Sequence, residues 1–158
     1  MMRGNGRYLG LIAGLVALDQ LSKFLIVRSI PIHGAVPVIP GFLALTHVRN
    51  KGAIFGMFNR SGAASVTLLL LAASLVALGF VVYYFLKTPA SHRWTKVALS
   101  LILAGAVGNQ IDRFVRGSVV DFLEMHVKTF YWPTYNVADA CISTGAVLLA
   151  ALIVFRRT

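Results

Sequence analysis

Acidic side chains are scarce in this sequence: five in 158 residues, against fifteen lysines and arginines. Charged residues of both signs make up 13% and hydrophobic ones 58%. Soluble domains carry about 25% charged residues. A water-soluble fold of this size has no means of hiding so much apolar surface, whereas a bilayer accepts it. Cysteine is nearly absent too. With Cys141 alone, an internal disulfide is impossible and a cysteine-rich metal site is excluded. Cys141 lies in an apolar stretch and is expected to pack there as a small hydrophobe. Long basic runs are also missing. The net charge is +10, but no run exceeds Arg156-Arg157, and most basic residues flank apolar stretches, as snorkelling membrane anchors do. Nucleic-acid binding needs a clustered basic face, so the scattered charge points to anionic lipid headgroups instead. Several catalytic signatures are lacking. There is no G-x-S-x-G, no P-loop and no dinucleotide glycine motif. His33, His47, His92 and His126 are dispersed without an H-E-x-x-H pattern. Nothing in the sequence argues for a metal ion or a cofactor.

What is present is apolar length. A bilayer-spanning helix takes about 20 apolar residues, and four stretches reach that: about 8–27, 61–86, 94–114 and 137–155. Asp19 and Lys23 interrupt the first, which argues for a retained helix over a cleaved signal peptide. The expected architecture is one polytopic, all-α membrane domain with both termini on the same side. Lysine and arginine counts on the two sides are equal. The dense, short Lys87–Lys96 loop favours cytoplasmic termini. The connection over about 29–60 holds Pro31, Pro37 and Pro40 and a run, Phe42 to Val48, rich in strand formers, so a small extramembrane β-sheet is expected there. The connection from Val115 to Tyr135 carries Phe122, Phe130, Tyr131, Trp132 and Tyr135, which suit an aromatic belt at the membrane interface.

The acids carry the functional information. Asp19, Asp112 and Asp139 fall within or at the ends of spans, and Asp121 follows close after one. Ionisable groups at membrane depth are expensive and read as functional by default. Each also has a structural reading. Asp19 and Lys23, spaced i,i+4, can form an internal ion pair. Asp112, beside Arg113 and one turn after Asn109, can be a polar clamp between helices. Asn136 and Asp139 form N-x-x-D at a helix start, which can be a capping box. Glu124 reads as a solvated interfacial acid. Asp121 is harder to dismiss, because it sits in the apolar, β-branched stretch Gly117-Ser118-Val119-Val120-Asp121-Phe122. If the third and fourth helices are antiparallel neighbours, Asp121 and Asp139 lie near one membrane face. Two close carboxylates at a low-dielectric boundary cannot both ionise easily, so one keeps a proton and the pair supplies both an acid and a base. That is the chemistry of aspartic proteolysis. A proton-coupled transporter is the rival reading, although it would want its acids near the bilayer midplane. A non-catalytic membrane interaction protein is the third.

Motifs then match a family. Gly108-Asn109-Gln110-Ile111-Asp112-Arg113 followed by Gly117-Ser118-Val119-Val120-Asp121-Phe122 resembles the G-N-x-x-D-R…G-x-V-x-D-F signature of bacterial lipoprotein signal peptidases (signal peptidase II). Asn136-Val137-Ala138-Asp139 resembles the family's F-N-x-A-D segment, with Tyr135 where Phe is usual. Asp19-Gln20-x-x-Lys23 and Val48-Arg49-Asn50-Lys51-Gly52-Ala53-x-Phe55-Gly56 match two upstream motifs, in order along nearly the whole chain. The resemblance implies a catalytic dyad of Asp121 and Asp139. It implies that Asn50, Asn109, Arg113 and Asn136 line or brace the site; Asp19, Lys23 and Asp112 keep the structural polar reading that their spacing gives them. The implied substrate is a diacylglyceryl-modified prolipoprotein cut just before its lipidated cysteine, with no metal or cofactor and with inhibition by globomycin. The implied place is the bacterial cytoplasmic membrane, termini in the cytoplasm and site at the outer face. A monomer is expected, since one chain can hold the whole site.

Overall fold

The computed structural model describes residues 5–51 and 63–155. In chain order its elements are α1 (Gly6–Ser29), β1 (Ala35–Ile39), β2 (Leu43–Asn50), α2 (Ala63–Lys87), α3 (Arg93–Arg116), β3 (Val119–Val127), β4 (Phe130–Tyr131) and α4 (Val137–Phe155). Each of the four apolar stretches thus contains a helix. The motif residues Gly52, Ala53, Phe55 and Gly56, and the first residues of the expected second span, lie outside the described residues.

Among the described residues, α1 and α4 are long and apolar enough to cross a membrane, and Leu71–Lys87 of α2 is a shorter apolar stretch. Helix α3 is the most polar of the four, and its position explains why: it packs against α1, α2 and α4. Lys96, Ser100, Asn109, Gln110 and Asp112 on α3 are buried by those neighbours. The outward faces are apolar instead. Leu18, Leu21 and Leu25 on α1, Val76 and Phe80 on α2, and Val147 and Val154 on α4 are all exposed. A bundle that buries polar residues and exposes leucine and valine has the distribution of a protein whose surroundings are hydrocarbon.

Helices α3 and α4 approach almost backbone to backbone. A Cβ added at Gly105 would lie 2.2 Å from the Ala138 carbonyl oxygen, and one at Gly145 would lie 2.7 Å from that of Ala98. Small residues permit such close crossings. The two contacts run in opposite senses along the helices, so α3 and α4 are antiparallel. One turn beyond Gly105 on α3 is Asn109, and the residue after Ala138 is Asp139.

The sheet departs from the expectation. It is four-stranded and antiparallel in the order β1-β2-β3-β4, so only half of it comes from the 29–60 connection. The other half comes from the 115–135 connection, and the fold is not all-α. Gly117, at φ 68° in the left-handed region, caps α3 with its N–H on the Arg113 carbonyl and turns the chain directly into β3. Strand β3 then pairs with β2, Val119 opposite Asn50 and Asp121 opposite Val48. Val120 and Phe122 pack on Ile26 and Ile30 at the end of α1. This cluster seats the sheet on one end of the bundle. A second cluster, Tyr8, Phe85, Leu99 and Leu103, closes the other.

Candidate active site

Below the sheet, α1 and α3 share a buried ion cluster. Asp19, Lys23 and Asp112 are each no more than 1% exposed. The Lys23 ammonium has three hydrogens and donates to three acceptors: Asp19 Oδ2 at 2.8 Å, Asp112 Oδ2 at 3.0 Å and Asn109 Oδ1 at 3.0 Å. The expected Asp19–Lys23 pair is therefore present. The partner of Asp112 differs from expectation. Arg116, not Arg113, donates to Asp112 Oδ1, because a residue four positions on shares a helix face and the adjacent one does not. Arg113 donates instead to Gln110 Oε1 at 2.9 Å. Two carboxylates and two cations leave the cluster neutral. Gln20 completes it, donating to the Gly108 carbonyl at 3.0 Å and accepting from Arg116 at 3.0 Å.

The remaining oxygens of this cluster reach the backbone beside the other two aspartates. Asp112 Oδ2 accepts the Val120 N–H at 3.1 Å, and Asp19 Oδ1 accepts the Ala138 N–H at 2.9 Å. Val120 and Ala138 immediately precede Asp121 and Asp139. The ion cluster thus fixes the two chain segments from which these carboxylates project.

Among the described residues, no cation forms an ion pair with Asp121 or Asp139. Asp121 Oδ1 accepts from Asn136 Nδ2 at 2.7 Å and Oδ2 from Asn50 Nδ2 at 3.0 Å. Asp139 Oδ1 accepts from Asn109 Nδ2 at 2.7 Å. The N-x-x-D capping box is also real: the Asp139 N–H donates to Asn136 Oδ1 at 2.9 Å, and the Asn136 N–H to Asp139 Oδ2 at 3.3 Å. Capping and site chemistry are therefore compatible in one residue. These contacts fix the amide orientations as well. Lys23 holds Asn109 Oδ1, which turns Asn109 Nδ2 toward Asp139. The Asp139 N–H holds Asn136 Oδ1, which turns Asn136 Nδ2 toward Asp121.

Asp121 is 3% exposed. Burial pushes its carboxyl up to about 6. The Asn50 hydrogen bond opposes that rise, the nearby charge of Asp139 adds to it, and the Asn136 hydrogen bond and Lys23 charge oppose it again. Asp139 is half-buried and lines a cavity of about 330 Å³ between α2, α3 and α4. Such a pair can supply one protonated and one ionised carboxyl near neutral pH. Among the described residues, no group of three or more His, Cys, Asp or Glu side chains could hold a metal ion.

All nine residues singled out from the sequence lie at this end of the bundle, linked in one network save Arg113, whose guanidinium bonds to Gln110 outside it. Sequence reasoning missed Gln20, Gln110 and Arg116. The i,i+4 spacing of Asp112 and Arg116 was the available signal for the last.

A family model described as signal peptidase (SPase) II matches residues 11–155. Relatives named lipoprotein signal peptidase include one from Syntrophotalea carbinolica, 44% identical over 91% of this chain and 90% of its own. Another, from Desulforapulum autotrophicum, is 40% identical over 90% of this chain and 88% of its own. A solved bacterial membrane enzyme structure, obtained by the in meso method, superposes with a TM-score of 0.83 at 31% identity, covering 97% of this chain and 95% of that one. A second superposes with a TM-score of 0.81, also at 31% identity, covering 94% and 88%. With a polar, aspartate-bearing site inside an apolar bundle and these matches along nearly its full length, this chain belongs to the signal peptidase II family, whose members are membrane proteases.

Proposed function

We propose that this chain is an aspartic endopeptidase that removes the signal peptide from diacylglyceryl-modified prolipoproteins, cutting just before the lipidated cysteine. The observation that carries this reading is the pair Asp121 and Asp139, held by neutral asparagine amides at the junction of sheet and bundle. The ionised carboxylate takes a proton from a water molecule. The protonated one donates to the scissile carbonyl oxygen as the water oxygen attacks its carbon. Collapse of the tetrahedral intermediate moves a proton to the leaving amine. The titration belongs to the pair, so neither carboxyl is assigned the shared proton.

Asn50, Asn109 and Asn136 orient the carboxylates, and Arg113 braces the cavity wall. All four helices cross the bacterial cytoplasmic membrane, with termini in the cytoplasm and the site at the outer face. The substrate's acyl chains stay in hydrocarbon, worth about 0.8 kcal/mol per buried CH₂, while the peptide reaches the dyad under the sheet. A single chain suffices, membrane lipids surround it, and a globomycin-type peptide competes for the site. The test is incubation of purified protein with a lipidated and an unlipidated precursor. Cleavage of the lipidated form alone is expected; equal cleavage of both, or of neither, sinks the substrate assignment.

A further inference from the structure

The cavity beside Asp139 contains a polar group that the dyad does not use. Gln110, on α3, is 5% exposed and lines the cavity with Ser74, Asn109, Arg113 and Asp139. Its Oε1 accepts from Arg113 at 2.9 Å and from the Ser74 hydroxyl at 3.3 Å. Its Nε2 is buried and has no hydrogen-bond partner among the described residues. A flipped amide is excluded by Arg113, because a guanidinium carries only donors and would then face the amide's own N–H groups. The arrangement therefore holds the Gln110 N–H away from Arg113. Buried donors are nearly always satisfied, and leaving this one open is costly unless something else occupies it.

The surroundings narrow what that something is. Further along the cavity the walls are apolar: Leu78, Val81, Ile102 and Ile142. From Ile102 to Arg113 the groove follows α3 for about 16 Å. Such a lining fits an apolar chain that brings an oxygen acceptor to the level of Asp139. Arg113 and Gln110 present donors on this side, and a carbonyl oxygen is an acceptor that suits them.

We propose that the free Gln110 N–H binds a carbonyl oxygen of the substrate, which makes Gln110 a substrate-recognition residue of this enzyme. This rests on the function proposed above and extends it to a further contact. A carbonyl acceptor of this kind comes either from an acyl ester of the diacylglyceryl group or from a peptide bond of the signal segment.

The experiment uses purified full-length protein and two synthetic precursors that differ only at the lipidated cysteine. One carries the diacyl ester and the other a dialkyl ether, which lacks both ester carbonyls. Gln110→Met keeps the side-chain volume and removes the donor. Its KM on the ester substrate is expected to rise about tenfold, the scale of one hydrogen bond, with kcat little changed. A loss confined to the ester substrate assigns the acceptor to the lipid, and an equal loss on both assigns it to the peptide. Gln110→Glu retains the oxygen that Arg113 and Ser74 use but lacks the N–H. It must show the same defect, and it gives the answer should Gln110→Met fail to fold. Wild-type KM in either variant overturns the inference. Failure of the wild type to cleave the ester substrate overturns the proposed function and this contact with it.

Discussion

Four of the five acids sit at one end of the bundle, yet they form two pairs with opposite surroundings. Asp19 and Asp112 are gripped by Lys23 and Arg116. Among the described residues, Asp121 and Asp139 accept only from asparagine amides and backbone N–H groups. A carboxylate beside a cation is fixed in a salt bridge, whereas burial and a neighbouring carboxylate push the Asp121 carboxyl up into the range where it can exchange a proton near neutral pH. The same side chain therefore serves as scaffold in one place and as a reactive group in the other. The pairs are coupled, since Asp112 holds the Val120 N–H and Asp19 the Ala138 N–H, each one residue ahead of a dyad member.

The largest expected effect comes from removing the reactive pair. Asp121→Asn or Asp139→Asn should lower cleavage of a lipidated precursor by at least about a thousandfold while thermal unfolding in detergent stays cooperative. Asp121→Asn should also lack a pH dependence of stability that the wild-type Asp121 contributes. The wild-type carboxyl holds the proton more tightly folded, at about 6, than unfolded. The folded state is therefore favoured below about pH 4, and that advantage is lost as pH rises through 6. A wild-type rate in either variant would abolish the distinction between the two pairs.

Attack on the scaffold should fail in the other way. Lys23→Met leaves Asp19 and Asp112 buried without their shared cation and should cost about 3–5 kcal/mol of stability, read as a lowered unfolding midpoint. Activity should fall in proportion to the unfolded fraction and with the freed Asn109 amide. A fully stable but inactive Lys23→Met would move Lys23 from scaffold to chemistry. The smallest effect is expected from Asn50→Ala. It removes one donor that holds the Asp121 carboxyl down, so the Asp121 midpoint should rise by up to about one pH unit, seen as a displaced acid limb in the pH–rate profile.

The contrast between the pairs was only partly legible in the sequence. Asp19 and Lys23 share a helix face by spacing alone, and their ion pair could be read directly. The Asn136–Asp139 capping box could be read too, and so could the four apolar stretches that hold the helices. Strand β3 could not. Its residues Val119 to Phe122 are all buried and show no alternation, so no two-residue period announces a strand. Its partner β2 lies two helices away in sequence. The aromatic content of 115–135 suggested an interface belt, and tertiary pairing made it half of a sheet. Gln110 was unreadable for a different reason: a free donor is a property of the neighbours, Arg113 and Ser74, and not of the residue.

The central claim is that Asp121 and Asp139 act as one coupled pair of carboxyls. A pH titration of Asp121 by ¹³C-carboxyl NMR in detergent, in wild type and in Asp139→Asn, tests it most directly. The account predicts a wild-type midpoint near the value of about 6 that burial and Asp139 together produce, and a lower one once the Asp139 charge is gone. A midpoint at the ordinary carboxyl value of about 4, unmoved by Asp139→Asn, would contradict it.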